Sequence, residues 1–435
     1  MNARWAMRSM ACAVAAAVAA GPAVARAEVG EPGGALALGG SLRILPAATY
    51  GYRLRVPANT PPEQVPAVAA SLPERSAAAY TVLARLTASG RPRPWLSYEA
   101  HLLQEVTSAS TRPDSLVLVQ PTGSAARDRL VFGAWHWGDQ GDVDARLQAD
   151  RLAVKLALAG VDVTAGRQAI TFGKAYFWNP LDVFRPFPAL QLDRDYKAGV
   201  DALRIDVALG SFSGCTLVGV LGDARRRSWY SSAAVARAFT TWRAWDLTLQ
   251  GGKIHGGYQV GGGSQGELGP FDLRAEASWF LPEREQRPAN ERELPEALSA
   301  VLGAGRRLDR TGVDVEYLYN GAGRVSLARA WPLVMEGLLP QASRHVIGAA
   351  VTHEATPLLK ASLKTVVSLS DGSVLFQPGV AYSAADEVSL TAGAVLAFGE
   401  RPVVELDAQG EPSLRYRSEF GSYPHVFYLE STFYF

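Results

Sequence analysis

A dense cluster of charge is formed by Arg185, Asp193, Arg194, Asp195 and Lys197, in a stretch that also holds Pro180, Pro186 and Pro188. Mixed charge of this kind carries out no bond chemistry alone. Held across an aqueous passage it would set up a transverse field and a modest selectivity filter. On an outer surface the same residues would pair as Arg–Asp bridges and order a loop. Sequence leaves both readings open. Single charges elsewhere recur among apolar residues: Lys155, Asp162, Arg204, Asp206, Asp246, Lys253, His255, Asp272, Arg274, Glu276, Asp314, Glu316, Lys360 and Lys364. Both signs are present. A pore selective for phosphate or polyanions would need an excess of Lys and Arg, and this set has none.

Catalytic patterns are missing. There is no Gly-x-Ser-x-Gly, His-Glu-x-x-His, P-loop or haem-attachment motif. His101, His136, His255, His345, His353 and His425 are scattered without metal-ligand spacing. Ser278 or Ser362 could meet His255 across strands, but nothing in the sequence brings them together. We therefore expect no enzyme, no metal and no cofactor.

The charges must be positioned by the segments that carry them, and those segments alternate with period two. Leu152, Val154, Leu156 and Leu158 oppose Arg151, Ala153, Lys155 and Ala157. Past a turn at Gly160, Val161, Val163 and Ala165 oppose Asp162 and Thr164. The pattern recurs at Leu203–Leu209, Trp245–Gln250, Phe271–Trp279, Val313–Tyr319 and Leu359–Leu369, and one further strand is expected from Lys253 to Val260, with Ile254, Tyr258 and Val260 facing away from Lys253, His255 and Gln259. Other strands are expected near 41–56, 78–88, 94–106, 212–221, 346–354, 374–383 and 386–397. The total is about 16 strands, with 14 to 18 compatible with the length. Segments Pro61–Arg75 and Glu291–Val301 have helical character, and 107–148 reads as a polar loop.

Charges fall on one face of strand after strand, and aliphatic or aromatic residues on the other. A soluble sandwich would have to bury that second face in protein. The fold class expected is therefore all-β: a transmembrane antiparallel up-and-down β-barrel with long loops at one end and short turns at the other. Lumen-facing residues on this parity are the single charges named above. Trp135, Trp137, Trp178, Trp229, Trp242, Trp245, Trp279 and Trp331 fall near strand ends or loops, as aromatic girdles do.

The N-terminus reads as an export signal. Arg4 and Arg8 precede an apolar stretch from Met10 to Ala20, Gly21-Pro22 breaks it, and Ala25-Arg26-Ala27 fits a small-x-small cleavage site. The apolar run is shorter than the roughly 20 residues a spanning helix needs. The domains expected are a cleaved signal at 1–27 and a barrel at 28–435. Cleavage moves the formal charge from +1 to −2, so no nucleic-acid partner is implied. It also leaves Cys215 as the sole cysteine, which excludes an intrachain disulfide.

The end of the chain, His425 to Phe435, puts Phe427, Leu429, Phe433 and Phe435 on one face and Tyr428, Glu430, Thr432 and Tyr434 on the other. It resembles the closing strand of Gram-negative outer-membrane proteins, which ends in Phe and is read by the barrel-assembly machinery. Those four apolar residues are the assembly signal that this resemblance implies. The middle of the chain is similar to porin-like outer-membrane barrels of unknown function and to alginate-export-type barrels. The likeness rests on Gly166-Arg167-Gln168, Phe172-Gly173, Asn179-Pro180-Leu181-Asp182 and the run from Leu192 through Asp193, Arg194, Asp195, Tyr196, Lys197 and Gly199 to Asp201. Where those barrels usually have Trp before Gly, this chain has Phe172.

The resemblance implies a channel for passive diffusion of small hydrophilic solutes, in contact with outer-membrane lipid and lipopolysaccharide. Residues 169–199 would form a loop folded inward as a constriction, carrying Arg185, Asp193, Arg194, Asp195 and Lys197. The alternative is a plugged or sheath-like barrel serving as scaffold or export partner for another envelope component. No trimer interface can be read, and a monomer is favoured.

Overall fold

A computed structural model describes residues 34–435 apart from 52–55, 57–59, 62–64, 66–75, 111–127, 131–132, 141–142, 185–195, 223–228, 290, 325 and 407–411. The chain forms β1 (Ala37–Tyr50), β2 (Ala77–Arg93), β3 (Leu96–Ala109), β4 (Ala134–Gln140), β5 (Val143–Leu158), β6 (Val161–Gln168), β7 (Val200–Ala208), β8 (Ser213–Val220), β9 (Ala233–Trp242) and β10 (Trp245–Ile254). It continues with β11 (Gly257–Leu268), β12 (Phe271–Pro282), β13 (Ala297–Leu308), β14 (Thr311–Asn320), helix α1 (Leu327–Met335), β15 (His345–Thr356), β16 (Leu359–Ser368), β17 (Val374–Ala385), β18 (Val388–Phe398), the short hairpin β19 (Val403–Leu406) and β20 (Pro412–Arg415), and β21 (His425–Tyr434).

Eighteen of these strands close into an antiparallel barrel, each paired with its neighbour in chain order. Closure is made by β21, which pairs with β18 from Val388↔Phe433 to Val395↔Val426 and with β1 from Ser41↔Tyr434 to Tyr50↔His425. Closure leaves no free edge, the condition for a sheet to sit in lipid. β4 lies beside the far half of β5, above the point where β6 ends. β19 and β20 pair only with each other. Two barrel strands, β9 and β13, have no counterpart in the sequence reading. β9 is masked by its Ala-rich outer row. β13 occupies a segment read as partly helical, and β5 begins well inside the stretch read as polar loop. The 61–75 segment lies almost wholly outside the described residues. Among the described residues, no helix is long and apolar enough to cross a membrane.

The two ends of the barrel differ. At one end the connections are tight, as at Ala159-Gly160, Arg243-Ala244 and Gly269-Pro270. Arg243 and Ala244 have φ of 49° and 66°, the left-handed pair that a two-residue hairpin turn demands. Both ends of the described chain lie there. At the other end are the long connections, including 169–199, 321–344 and 399–424. This asymmetry is that of outer-membrane barrels, whose short turns face the periplasm.

The outer rows are apolar: Leu152, Leu249, Val260, Leu302, Val380 and Phe427 are all exposed. Trp95 and Trp242 border the tight turns, and Trp135, Trp229 and Trp279 lie toward the long loops, so exposed aromatics ring both ends. Phe427 is on this outer row, whereas Phe433 of the same row is buried. The inner rows are not uniformly polar. Toward the long-loop end, Leu318, Val346, Val366, Leu375 and Val395 are fully buried. They form one core with Phe177, Trp178, Phe420 and Tyr423 from the loops.

An inward segment and the wall that holds it

The stretch after β6 enters the bore. Its backbone is taken by side chains of the facing wall, a reason for polar residues on inner rows that alternation alone does not supply. Glu276 of β12 accepts the N–H of Lys174 at 2.6 Å. Glu316 of β14 accepts the N–H of Tyr176 at 2.5 Å and of Phe177 at 2.7 Å. Gln250 of β10 donates to the Leu181 carbonyl at 2.9 Å, and Gln259 of β11 donates to that of Pro180 at 3.0 Å. Arg237 of β9 donates to the Phe172 carbonyl at 2.6 Å. A loop inside a barrel has no sheet partner, so its N–H and C=O groups must find these.

Shape completes the seat. Gly348 of β15 lies against the Phe177 ring, where an added Cβ would come within 2.7 Å. Gly261 faces Leu181 at a comparable 2.8 Å. Glycine is needed at both because a side chain would occupy the space of the loop.

The sequence motifs of this region are its staples. The Lys197 ammonium donates to both carboxylate oxygens of Asp182 at 2.6 Å and to the Ile170 carbonyl at 2.6 Å. Both partners are almost wholly buried, so the pair ties the return limb to the entering limb. Asn179 Oδ1 accepts the Ala175 N–H at 2.8 Å, closing the turn before Pro180. Arg167 and Asp201 face each other across β6 and β7 in a two-pronged bridge at 2.6 and 2.9 Å. Lys197 is therefore a buried tie. Arg185, Asp193, Arg194 and Asp195 lie outside the described residues.

The charges read as lumen-facing divide as follows. Lys155 and Asp162 pair at 2.6 Å. Arg204 and Asp206 pair at 2.8 Å, and Thr216 of β8 also donates to Asp206. Arg274 bridges Glu316 at 2.8 Å, Asp272 at 3.4 Å and Asp314. Asp246 meets Lys174 of the inward segment at 2.6 Å. Lys360 pairs with Glu354 at 3.2 Å, and Lys364 is on the same row. Register and partners set all of these on inner rows, with Glu276.

Lys253 is different and corrects the sequence reading. The expected strand from Lys253 to Val260 is broken by a hairpin turn at His255-Gly256, so Lys253 and Tyr258 are opposite each other on β10 and β11. Both share the row of Leu249 and Val260, away from Asp246, Gln250 and Gln259. The Lys253 ammonium donates to the carbonyls of Ile254 at 2.7 Å and Tyr230 at 3.2 Å, under Trp229 and Tyr258. It caps strand ends at the outer rim.

Sequence reasoning also missed a charge cluster on the opposite wall. Between β3 and β5 the register shifts, with His101 opposite Arg151 and Leu102 opposite Ala149. Asp150 is the extra residue of this bulge, so Asp150 and Arg151 both reach inward. Asp150 binds Arg85 at 2.7 Å and Arg129 at 3.1 Å, and Arg85 stacks 4.1 Å over the Tyr196 ring. No residue pattern signals a bulge here. Among the described residues no group of three His, Cys, Asp or Glu is placed to hold a metal ion.

Fold and bore together define a closed antiparallel β-barrel whose fold resembles that of Gram-negative outer-membrane porins. Solved structures of similar fold include Pseudomonas aeruginosa OccK9 (OpdG), at a TM-score of 0.51 and 12% identity over 92% of this chain and 98% of that one. Acinetobacter baumannii OccAB3 superposes at a TM-score of 0.53 and 8% identity, over 92% and 99% of the two chains. OccAB2 from the same organism superposes at 0.53 and 9% identity, over 93% and 99%. At such identities the likeness is one of fold. No protein-family model matches the chain, and no curated protein matches it in sequence.

Proposed function

We propose that the barrel is an outer-membrane channel for passive diffusion of small hydrophilic solutes. The observation that carries this is the wetness of its inner wall. Lys155–Asp162, Arg204–Asp206 and Lys360–Glu354 sit on inner rows, yet each side chain keeps between 31% and 56% of its surface exposed. All three pairs lie toward the short-turn mouth, and a barrel filled to that mouth would bury them. On this reading 169–199 is the constriction, residues 1–27 are a signal removed on export, and the assembly machinery reads the terminal strand with Phe427, Leu429, Phe433 and Phe435. The barrel works as a monomer among lipid and lipopolysaccharide.

The test is single-channel conductance of the barrel in a planar bilayer. Discrete open steps support the reading, and deletion of residues 176–196 then raises their amplitude. A folded but silent barrel selects the second reading, a plugged scaffold or export partner. The apolar core of Phe177, Trp178, Phe420 and Tyr423 at the long-loop end favours that alternative.

A further inference from the structure

The loop–wall contacts of the bore are mostly of one kind. Glu276 and Glu316 are buried and receive backbone N–H groups, and Gln250 and Arg237 serve backbone carbonyls. Asp182 and Lys197 are spent on each other in the interior of the segment. Buried Glu276, Glu316, Asp182 and Lys197 cannot meet a passing ion directly.

Lys174 is the exception. Its N–H is fixed by Glu276, which points the side chain along the wall toward β10. Its ammonium reaches Asp246 Oδ2 at 2.6 Å, and Thr241 of β9 holds Asp246 Oδ1 at 2.6 Å. Asp246 is the second residue of β10, directly after the tight turn at Arg243-Ala244. Lys174 therefore carries the inward segment deep toward the short-turn mouth. Exposure of the two side chains is 32% and 46%, so both face water. Among the described residues of the 169–199 connection, Lys174 is the one charge that is not buried.

We infer that Lys174 and Asp246 form the charge pair that sets the ion preference of the bore. The inference rests on the channel reading above. While paired, the two nearly cancel, and a passing ion meets a dipole. Removing one leaves the other as a bare unit charge on the wet inner wall, where its field is screened over roughly 8 Å at physiological salt. A bare charge several ångströms from an ion changes local ion occupancy by roughly two- to fourfold even at the dielectric of water.

The experiment is the reversal potential in a salt gradient, across a planar bilayer, for the wild-type barrel, Lys174→Gln, Asp246→Asn and the double variant. Lys174→Gln exposes Asp246 and should raise the cation-to-anion permeability ratio by about two- to fourfold. Asp246→Asn exposes the ammonium and should move the ratio the other way by a similar factor. The double variant should return close to wild type. Heat-modifiable gel mobility verifies that each variant is a folded barrel. Open wild-type channels whose reversal potential is the same in both single variants would overturn the inference while leaving the channel reading intact. Shifts of equal sign would overturn it as well. A folded wild-type barrel that never opens instead removes the channel reading, and this inference with it.

Discussion

Glu316 of the wall and Phe177 of the inward segment are joined through one oxygen: the Phe177 N–H donates to Glu316 Oε2 at 2.7 Å. The other oxygen accepts from Tyr176 N–H and from Arg274 Nε at 2.8 Å. Glu316 is fully buried. One carboxylate thus neutralises a wall arginine and ends two backbone donors of a loop that has no sheet to pair with.

Glu316→Gln keeps the volume but exchanges an acceptor oxygen for a donor nitrogen. One N–H loses its acceptor, and Arg274 is left with the carboxylates of Asp314 and Asp272 alone. The loss should be about 2–3 kcal/mol of barrel stability, read as a lower thermal transition in detergent micelles. In bilayers the open level should become noisier. An unchanged transition would mean that the segment is held elsewhere.

Gly348→Val probes the same seat by shape. The strand tolerates valine, which favours extended backbone. The Phe177 ring does not tolerate the new Cβ and must leave its site. Conductance should rise while the barrel stays closed and folded. Equal conductance in the variant and wild type would show that Phe177 does not narrow the bore.

Lys253→Met tests the rim assignment. Its ammonium serves carbonyls at the ends of β9 and β10 and lies off the bore. The substitution should cost roughly 1–3 kcal/mol in stability, through the loss of charge-assisted hydrogen bonds to these carbonyls. Ion selectivity should not move. A changed reversal potential would put Lys253 back in the lumen.

Outside the strands, Glu419 gathers the long loops. Its carboxylate accepts the N–H groups of Ala342 and Ser343 at 2.8 Å each, and its own N–H donates to Asp371 at 2.7 Å. Burial pushes the Glu419 carboxyl above the usual carboxylate range, and the neighbouring Asp371 charge adds to this. A carboxyl raised in the folded state supports the fold fully below its ordinary pKa and loses that support as pH rises through the raised value. The loop latch should therefore be tightest in acid and loosen toward alkaline pH. Limited proteolysis of the 399–424 connection across pH measures this. Glu419→Gln should remove the pH dependence; a variant that keeps it would clear Glu419 of the effect.

What the sequence determined is whatever period two and end chemistry can specify. Alternation of Leu152–Leu158 with Arg151–Ala157 fixes which rows meet lipid, because a one-residue slip would put charge into hydrocarbon. The terminal strand from His425 to Phe435 is legible for the same reason, and it closes the barrel in the register reported above. The Asn179-Pro180-Leu181-Asp182 motif with Lys197 marks where the chain leaves the wall. Sixteen strands could be read, and the remaining two could not, since Ala233–Ala238 lacks bulky outer residues and Ala297–Leu308 follows a segment of helical composition.

Only the tertiary structure decided what occupies the bore. The face of Lys253 depends on a turn at His255-Gly256 that unbroken alternation conceals. Asp150 points inward because of a bulge, a misfit between two strands that neither strand shows alone. Lys174 carries no pattern of its own; it reaches Asp246 because Glu276 and Glu316, far apart in the chain, grip the backbone on either side of it. Inner aliphatics such as Leu318 and Val366 share rows with Glu316 and Lys364, yet they are buried in one core with Phe177, Phe420 and Tyr423. Alternation reports two faces of a strand, but which of them meets water, lipid or an inserted loop is set by closure and by what the closed barrel then admits.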